Sequence, residues 1–163
     1  VSILTLVSDG NSDGRLVGSF VYMLLCQQGG PIHVKIGLSD DPFKRLSALR
    51  NTCAVTPRRF AVTSVPSRLM AKRLEAALHK ELSPWRKHGE WFEFTPEEKA
   101  DFNRGWQVVF ARQQRNMRGY PLKWEHLSVA EIVKAAEARK NASQRRWRER
   151  GPAFQDFLRH CKG

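Results

Sequence analysis

Two short stretches of alternating residues, joined by a link too tight for a crossover, set the strongest limit on how this chain can fold. From Phe20 to Leu25, Val21, Met23 and Leu25 share one face of a strand, and Phe20, Tyr22 and Leu24 share the other. From His33 to Leu38, Val34, Ile36 and Leu38 face one way and His33, Lys35 and Gly37 the other. Between them, Gln27-Gln28-Gly29-Gly30-Pro31 is turn chemistry. A link this short joins antiparallel neighbours, so the two stretches form a hairpin.

The hairpin is followed by alternating helix and strand signals. Ser39-Asp40-Asp41-Pro42 supplies capping oxygens and a first-turn proline, which predicts a helix to about Arg50 that buries Phe43, Leu46 and Leu49. A third strand fits Arg59 to Val65. Ser67 then caps a helix to about Leu82 with an apolar stripe of Met70, Leu74, Ala77 and Leu78, and Pro84 ends it. Trp91 to Phe94 alternates, as an edge strand or a closing loop. Thr95-Pro96-Glu97-Glu98 opens a helix carrying Phe102, Trp106, Val109 and Phe110; Gly119-Tyr120-Pro121 interrupts, and helical pattern resumes near Ser128. The order β-β-α-β-α followed by helices predicts an α/β fold with a small three-stranded antiparallel sheet and a helical, basic C-terminal extension. The expected divisions are a flexible, polar lead-in at 1–17, a domain at 18–95 and the extension at 96–163.

Charge narrows the partners. The 163 residues hold 28 Lys and Arg against 16 Asp and Glu, a net charge of +12. Such an excess costs self-repulsion in the compact state, and nucleic acid is the partner it most often serves. No apolar run approaches the roughly 20 residues needed to span a bilayer, and Val1 to Val7 does not read as a signal peptide. The three cysteines, Cys26, Cys53 and Cys161, lack metal-ligand spacing and read as reduced thiols of a cytoplasmic protein.

Several side chains could carry chemistry. On paired strands Tyr22 and Lys35 share a face. A phenol titrates near ~10; an adjacent ammonium would lower that value and let the pair deprotonate a water. The plain alternative is an ordinary half-exposed strand face. Arg45, at the border of the first helix's apolar stripe, could reach a phosphate. Glu75 and His79 lie one helical turn apart, with Lys72 on the same side. One carboxylate suffices to place Mg²⁺ when phosphate and waters complete its shell; a Lys72–Glu75 surface pair with a spectator histidine is the alternative. In Gly89-Glu90-Trp91-Phe92, Glu90 reads as a supporting acid and the two aromatics as packing.

The order Phe20-Val21-Tyr22, Lys35-Ile36-Gly37, Arg45, Glu75 resembles the GIY-YIG nuclease superfamily, in particular the phage and bacterial branch whose second tripeptide reads KIG. That branch also shows Leu74-Glu75-x-x-Leu78-His79 and Gly89-Glu90-Trp91-Phe92. The resemblance spans about residues 18–95. It implies a shallow site on the face of a three-stranded sheet and a DNA endonuclease using one Mg²⁺ or Mn²⁺ ion. Tyr22 would be the base or the water-positioning group, with Lys35 beside it. Arg45 would hold the phosphate and Glu75 the metal, with His79 among the catalytic group and Gly37 and Glu90 in support. Phe20 replaces the first motif's glycine, and Leu49 stands where many relatives carry a histidine. An inactive DNA-binding descendant, or an RNA-directed factor, is the alternative.

Residues 96–163 hold fifteen Lys and Arg against eight Asp and Glu. Ser128 to Val133 followed by Ser143 to Arg148 resembles a helix-turn-helix without the turn glycine; the other reading, which the residues favour, is a basic helix that grips phosphates without reading bases. Lys44, Arg50, Arg58, Arg59, Lys72, Arg145, Arg146, Arg148 and Arg150 are the expected contacts to duplex or branched DNA. Oligomeric state is not set by these features.

Overall fold

The computed structural model describes residues 18–160, apart from 54, 56, 118, 119 and 121. The expected lead-in at 1–17 and the thiol of Cys161 lie outside the described residues, as do the side chains of Arg146, Arg148 and Arg150. Strands β1 (Ser19–Gln27) and β2 (Ile32–Ser39) form the expected hairpin, with Tyr22 opposite Gly37 and Leu24 opposite Lys35. Gly29 and Gly30 take positive φ in the turn, at 60° and 80°, a backbone region that costs glycine little. Helix α1 (Pro42–Thr52) begins where Asp41 accepts the Lys44 N–H at 3.0 Å with Pro42 in the first turn. Strand β3 (Pro57–Val65) pairs on the free side of β1. Helix α2 (Arg68–Glu81) is capped by the Ser67 hydroxyl, 3.3 Å from the Met70 N–H.

The α/β class holds, and the sheet is larger than three strands. After a short 3₁₀ turn (Ser83–Trp85) come β4 (Arg86–His88) and β5 (Trp91–Phe94); later, β6 (Glu125–Ser128) joins the opposite side. The six strands run β4-β5-β2-β1-β3-β6, each pair antiparallel. β4 and β6 have only three and four residues. They are strands because a neighbour presents a free edge to them, not because of their own composition.

Both faces of the sheet are covered. On one, Val21, Ile32, Val34 and Ile36 pack under Leu74 and Leu78 of α2 and Phe102 and Val109 of α3 (Lys99–Asn116). On the other, Phe20, Tyr22, Leu24 and Phe60 pack under Phe43, Leu46 and Leu49 of α1 and Ile132 of α4 (Val129–His160). The half-exposed strand face, the plain alternative for Tyr22, is therefore absent: Tyr22 is 0% exposed. The sheet face around Tyr22 is thus not open to solvent, and the candidate side chains Arg45 and Glu75 lie towards the sheet's rim.

Residues after 95, expected as an extension, supply β6 to the same sheet and Phe102 to the same core. α4 is one continuous helix of 32 residues. It starts at a capping box in which the Glu131 carboxylate accepts the Ser128 N–H at 2.7 Å and the Ser128 hydroxyl accepts the Glu131 N–H at 3.2 Å. No turn interrupts it at 139–141, which removes the helix-turn-helix reading. Among the described residues, no helix is long and apolar enough to cross a membrane.

Phe102 stacks on Phe94 at 4.2 Å and meets Trp85 edge-on at 5.7 Å. Phe102→Ala is expected to cost about 3–5 kcal/mol in urea denaturation, as for a large aromatic in a shared core. A loss below about 1 kcal/mol would mean that residues after 95 form an appended unit with separate stability.

Candidate active site

The outer edge of β2 organises the site. β5 pairs with β2 only from Ile32 to Lys35, where Lys35 faces Trp91. Beyond that point the strand's backbone groups need other partners. Ile36 N–H donates to the Glu90 carbonyl at 3.1 Å. The Ile36 carbonyl meets His79 Nε2 at 3.2 Å. The Leu38 N–H donates to the Glu75 carboxylate. Alternate residues point their backbone groups to the same side, so all three bonds close one edge.

This closure carries Glu75 to the rim from the helix layer opposite Tyr22. Glu75 and His79, four residues apart on α2, act as the missing strand partner. His79 is half-buried, and its ring meets Phe92 edge-on at 5.2 Å. Donation to a carbonyl requires the proton on Nε2. Burial pushes His79 below its ordinary pKa, against the raising effect of the Ile36 bond. His79 is thus bonded to the sheet edge.

On the other side of β2, the Tyr22 hydroxyl accepts the Arg45 Nε–H at 3.2 Å. The ring stacks on Phe60, with centroids 5.7 Å apart and planes at 20°. Gly37 leaves room for the phenol: a Cβ there would stand 2.6 Å from the hydroxyl and 2.8 Å from Cζ. Arg45 itself is exposed and covers the phenol from the solvent side.

Lys35 does not partner Tyr22. Its Nζ lies 2.7 Å from Glu90 Oε2 and 5.3 Å from the centre of the Trp91 ring. Burial holds the Tyr22 phenol above its ordinary pKa; Arg45 lowers it, and the negative charges of Glu90 and Glu75 raise it further. The expected contact between Tyr22 and Lys35 is corrected accordingly. The ammonium meant to acidify the phenol is taken by Glu90, and the phenol keeps its proton at neutral pH.

Glu75 is also raised, first by burial and then by the charge of Glu90, with the Leu38 N–H, Lys35 and Arg68 opposing. Tyr22, Arg45, Glu75 and His79 all feel Glu90. Sequence alone marked Glu90 only as a supporting acid. Among the described residues, no three His, Cys, Asp or Glu side chains gather as a metal cluster. One carboxylate beside an exposed guanidinium suits a hard cation that keeps its waters and takes substrate oxygens. It does not suit zinc, which wants four protein or water ligands with nitrogen or sulfur among them.

Of the expected nucleic-acid contacts, Lys44, Arg50, Arg58, Arg59, Lys72 and Arg145 are exposed. A cavity of about 260 Å³ between α1 and α4, flanked by Arg50 and Lys140, lies on the α1 face turned away from Arg45.

The segment that builds this rim also decides the family: residues 19–107 match the T5orf172 domain. The chain belongs to the T5orf172 domain family. The match covers Tyr22, Lys35, Arg45, Glu75, His79 and Glu90, and runs from β1 into α3. T5orf172 domains are phage-associated and related to endonucleases. Searches of curated proteins and of solved structures gave no match.

Two expectations follow from the packing and the charges. Gly37→Ala must displace Tyr22, and is expected to lower stability by about 1–3 kcal/mol in urea denaturation; an unchanged midpoint would contradict the close approach. Glu75 has a folded pKa above its unfolded 4.5, so its charged form is penalised by folding. Glu75→Gln is therefore expected to raise the melting temperature at pH 7.5. The gain should fade as pH falls through the raised folded value and vanish below 4.5, where the wild-type carboxyl is neutral in both states. Melts of both proteins across that range check the sign.

Proposed function

We propose that this chain is a metal-dependent DNA endonuclease of the GIY-YIG type. The observation that carries the proposal is that the Tyr22 phenol, which holds Arg45 by a hydrogen bond, also lies within electrostatic range of Glu75 from the opposite layer. Side chains separated by over fifty positions gather where a phosphate can approach from solvent.

Glu75 would hold the divalent cation, Mg²⁺ or Mn²⁺, through the carboxylate oxygen not engaged by Leu38. The ion would supply positive charge to the leaving oxygen. Arg45 takes the scissile phosphate and offsets charge that develops on its oxygens. As the guanidinium moves onto the phosphate it uncovers the Tyr22 hydroxyl. The phenol, still protonated, orients the attacking water through its lone pair and its own O–H. The water oxygen then bonds to phosphorus in line with the breaking P–O bond, and the water's proton ends on the leaving oxygen through solvent. His79 keeps the β2 edge closed behind Glu75. The exposed basic side chains hold the duplex through its phosphates.

The full burial of Tyr22 is the observation that favours a second reading, a DNA-binding protein of the same fold without cleavage. Plasmid nicking with Mg²⁺ or Mn²⁺ separates the two. Wild type should nick, and EDTA should stop it. Glu75→Ala should abolish nicking. Arg45→Ala should lose on the order of 10²–10³ in rate, and Tyr22→Phe at least about 10². Binding without nicking by wild type supports the second reading. Equal nicking by all four proteins sinks the assignment of these residues.

A further inference from the structure

We infer that Lys35 is a positioning residue whose task is to hold Glu90 off Arg45, leaving the guanidinium open for a phosphate. This rests on the nuclease reading of the rim and adds a specific role to it.

Two acids lie near the Tyr22 phenol that carries the exposed Arg45 guanidinium, yet Arg45 makes no ion pair among the described residues. Each acid is tied elsewhere. Glu75 accepts from the Leu38 N–H, and Glu90 is held by the Lys35 ammonium at 2.7 Å. Glu90 is fastened twice to consecutive residues of β2, by its carboxylate to Lys35 and by its carbonyl to Ile36. The next residue, Gly37, lies against the Tyr22 hydroxyl that carries Arg45. Glu90 is thus one strand position from the Arg45 perch, and its charge acts on Arg45.

The two partners differ in freedom. The Lys35 side chain is 10% exposed and pinned beside Trp91, whereas that of Glu90 is 41% exposed. If Lys35 were neutral, the carboxylate could move and the buried strand residue could not. Arg45 feels the charge of Glu90 and has no ion pair among the described residues, and a guanidinium pairs with a carboxylate in two parallel bonds. Such a pair would block the group that a phosphate needs. Lys35 is too buried to touch a polyanion itself, so any effect of its charge on binding has to pass through another side chain.

The test is the salt dependence of duplex binding by the full chain. A 20-base-pair duplex of fixed sequence is titrated in EDTA across a series of salt concentrations, for wild type, Arg45→Ala, Lys35→Met, Lys35→Met/Glu90→Gln and Lys35→Met/Arg45→Ala. Each phosphate contact contributes about 0.9 to the slope of log K against log salt. Arg45→Ala and Lys35→Met are each expected to flatten the slope by about that amount. Adding Glu90→Gln to Lys35→Met should restore it, and adding Lys35→Met to Arg45→Ala should change nothing more. A role confined to stability would not produce this pattern in proteins that melt well above the assay temperature. Should Lys35→Met fail to fold, Lys35→Gln reads the same slope with a side chain of similar length. A wild-type slope in Lys35→Met or Lys35→Gln, or no rescue by Glu90→Gln, overturns the inference while leaving the nuclease proposal to its own nicking assay. No duplex binding by wild type overturns both.

Discussion

The edge of β2 between Ile36 and Leu38 is the constraint on which the rest depends. A strand inside a covered sheet has to find partners for its backbone groups, and here the neighbouring strand ends one residue too early. The chain completes the ladder with a carbonyl from the β4–β5 turn and with two side chains from α2. This draws α2 against the rim. It also brings a carboxylate from one layer of the fold to within electrostatic range of a phenol in the other. Closing the edge and assembling the site are the same structural event.

The arrangement carries a cost that the surrounding core offsets. Glu75 is pressed into a half-buried position beside a second acid, and Tyr22 is sealed beneath α1 with only glycine opposite. Neither choice helps the fold by itself. Large apolar side chains on both faces of the sheet, Phe20, Phe43 and Phe60 on one and Leu74, Phe92 and Phe102 on the other, supply the burial that tolerates them. Charges held against their preference at the end of a rigid strand are the pattern expected where charge has work to do.

The hairpin, α1, α2 and their caps were legible because each is fixed by local chemistry: a period of two, a period of 3.6, a capping oxygen. The covering of both sheet faces was missed, although the signal was there: Phe20, Tyr22 and Leu24 are as apolar as Val21, Met23 and Leu25, and a strand apolar on both sides is one with layers on both sides. β4 and β6 were not legible, because Arg86-Lys87-His88 and Glu125-His126-Leu127-Ser128 owe their strand character to an edge built elsewhere. The meeting of Tyr22 with Arg45 could be read only through the family pattern. The Lys35–Glu90 bond could not be read at all: it spans 55 positions and depends on the register that sets Lys35 opposite Trp91.

The proposed reading also separates two uses of positive charge. Exposed cations such as Lys44, Arg50, Lys140 and Arg145 are long, solvated and without fixed geometry, so they suit attraction to any polyanion and fade with salt. Arg45 is different, because a phenol holds its Nε and the two nearby acids are committed to other groups. α4 supplies no turn from which a second helix could enter a groove. On this reading, sequence preference has to arise from the shape and deformability of the nucleic acid rather than from base contacts by α4. Discrimination then belongs at the rim, where a guanidinium that starts from a defined perch on Tyr22 must find a phosphate that the backbone can present to it.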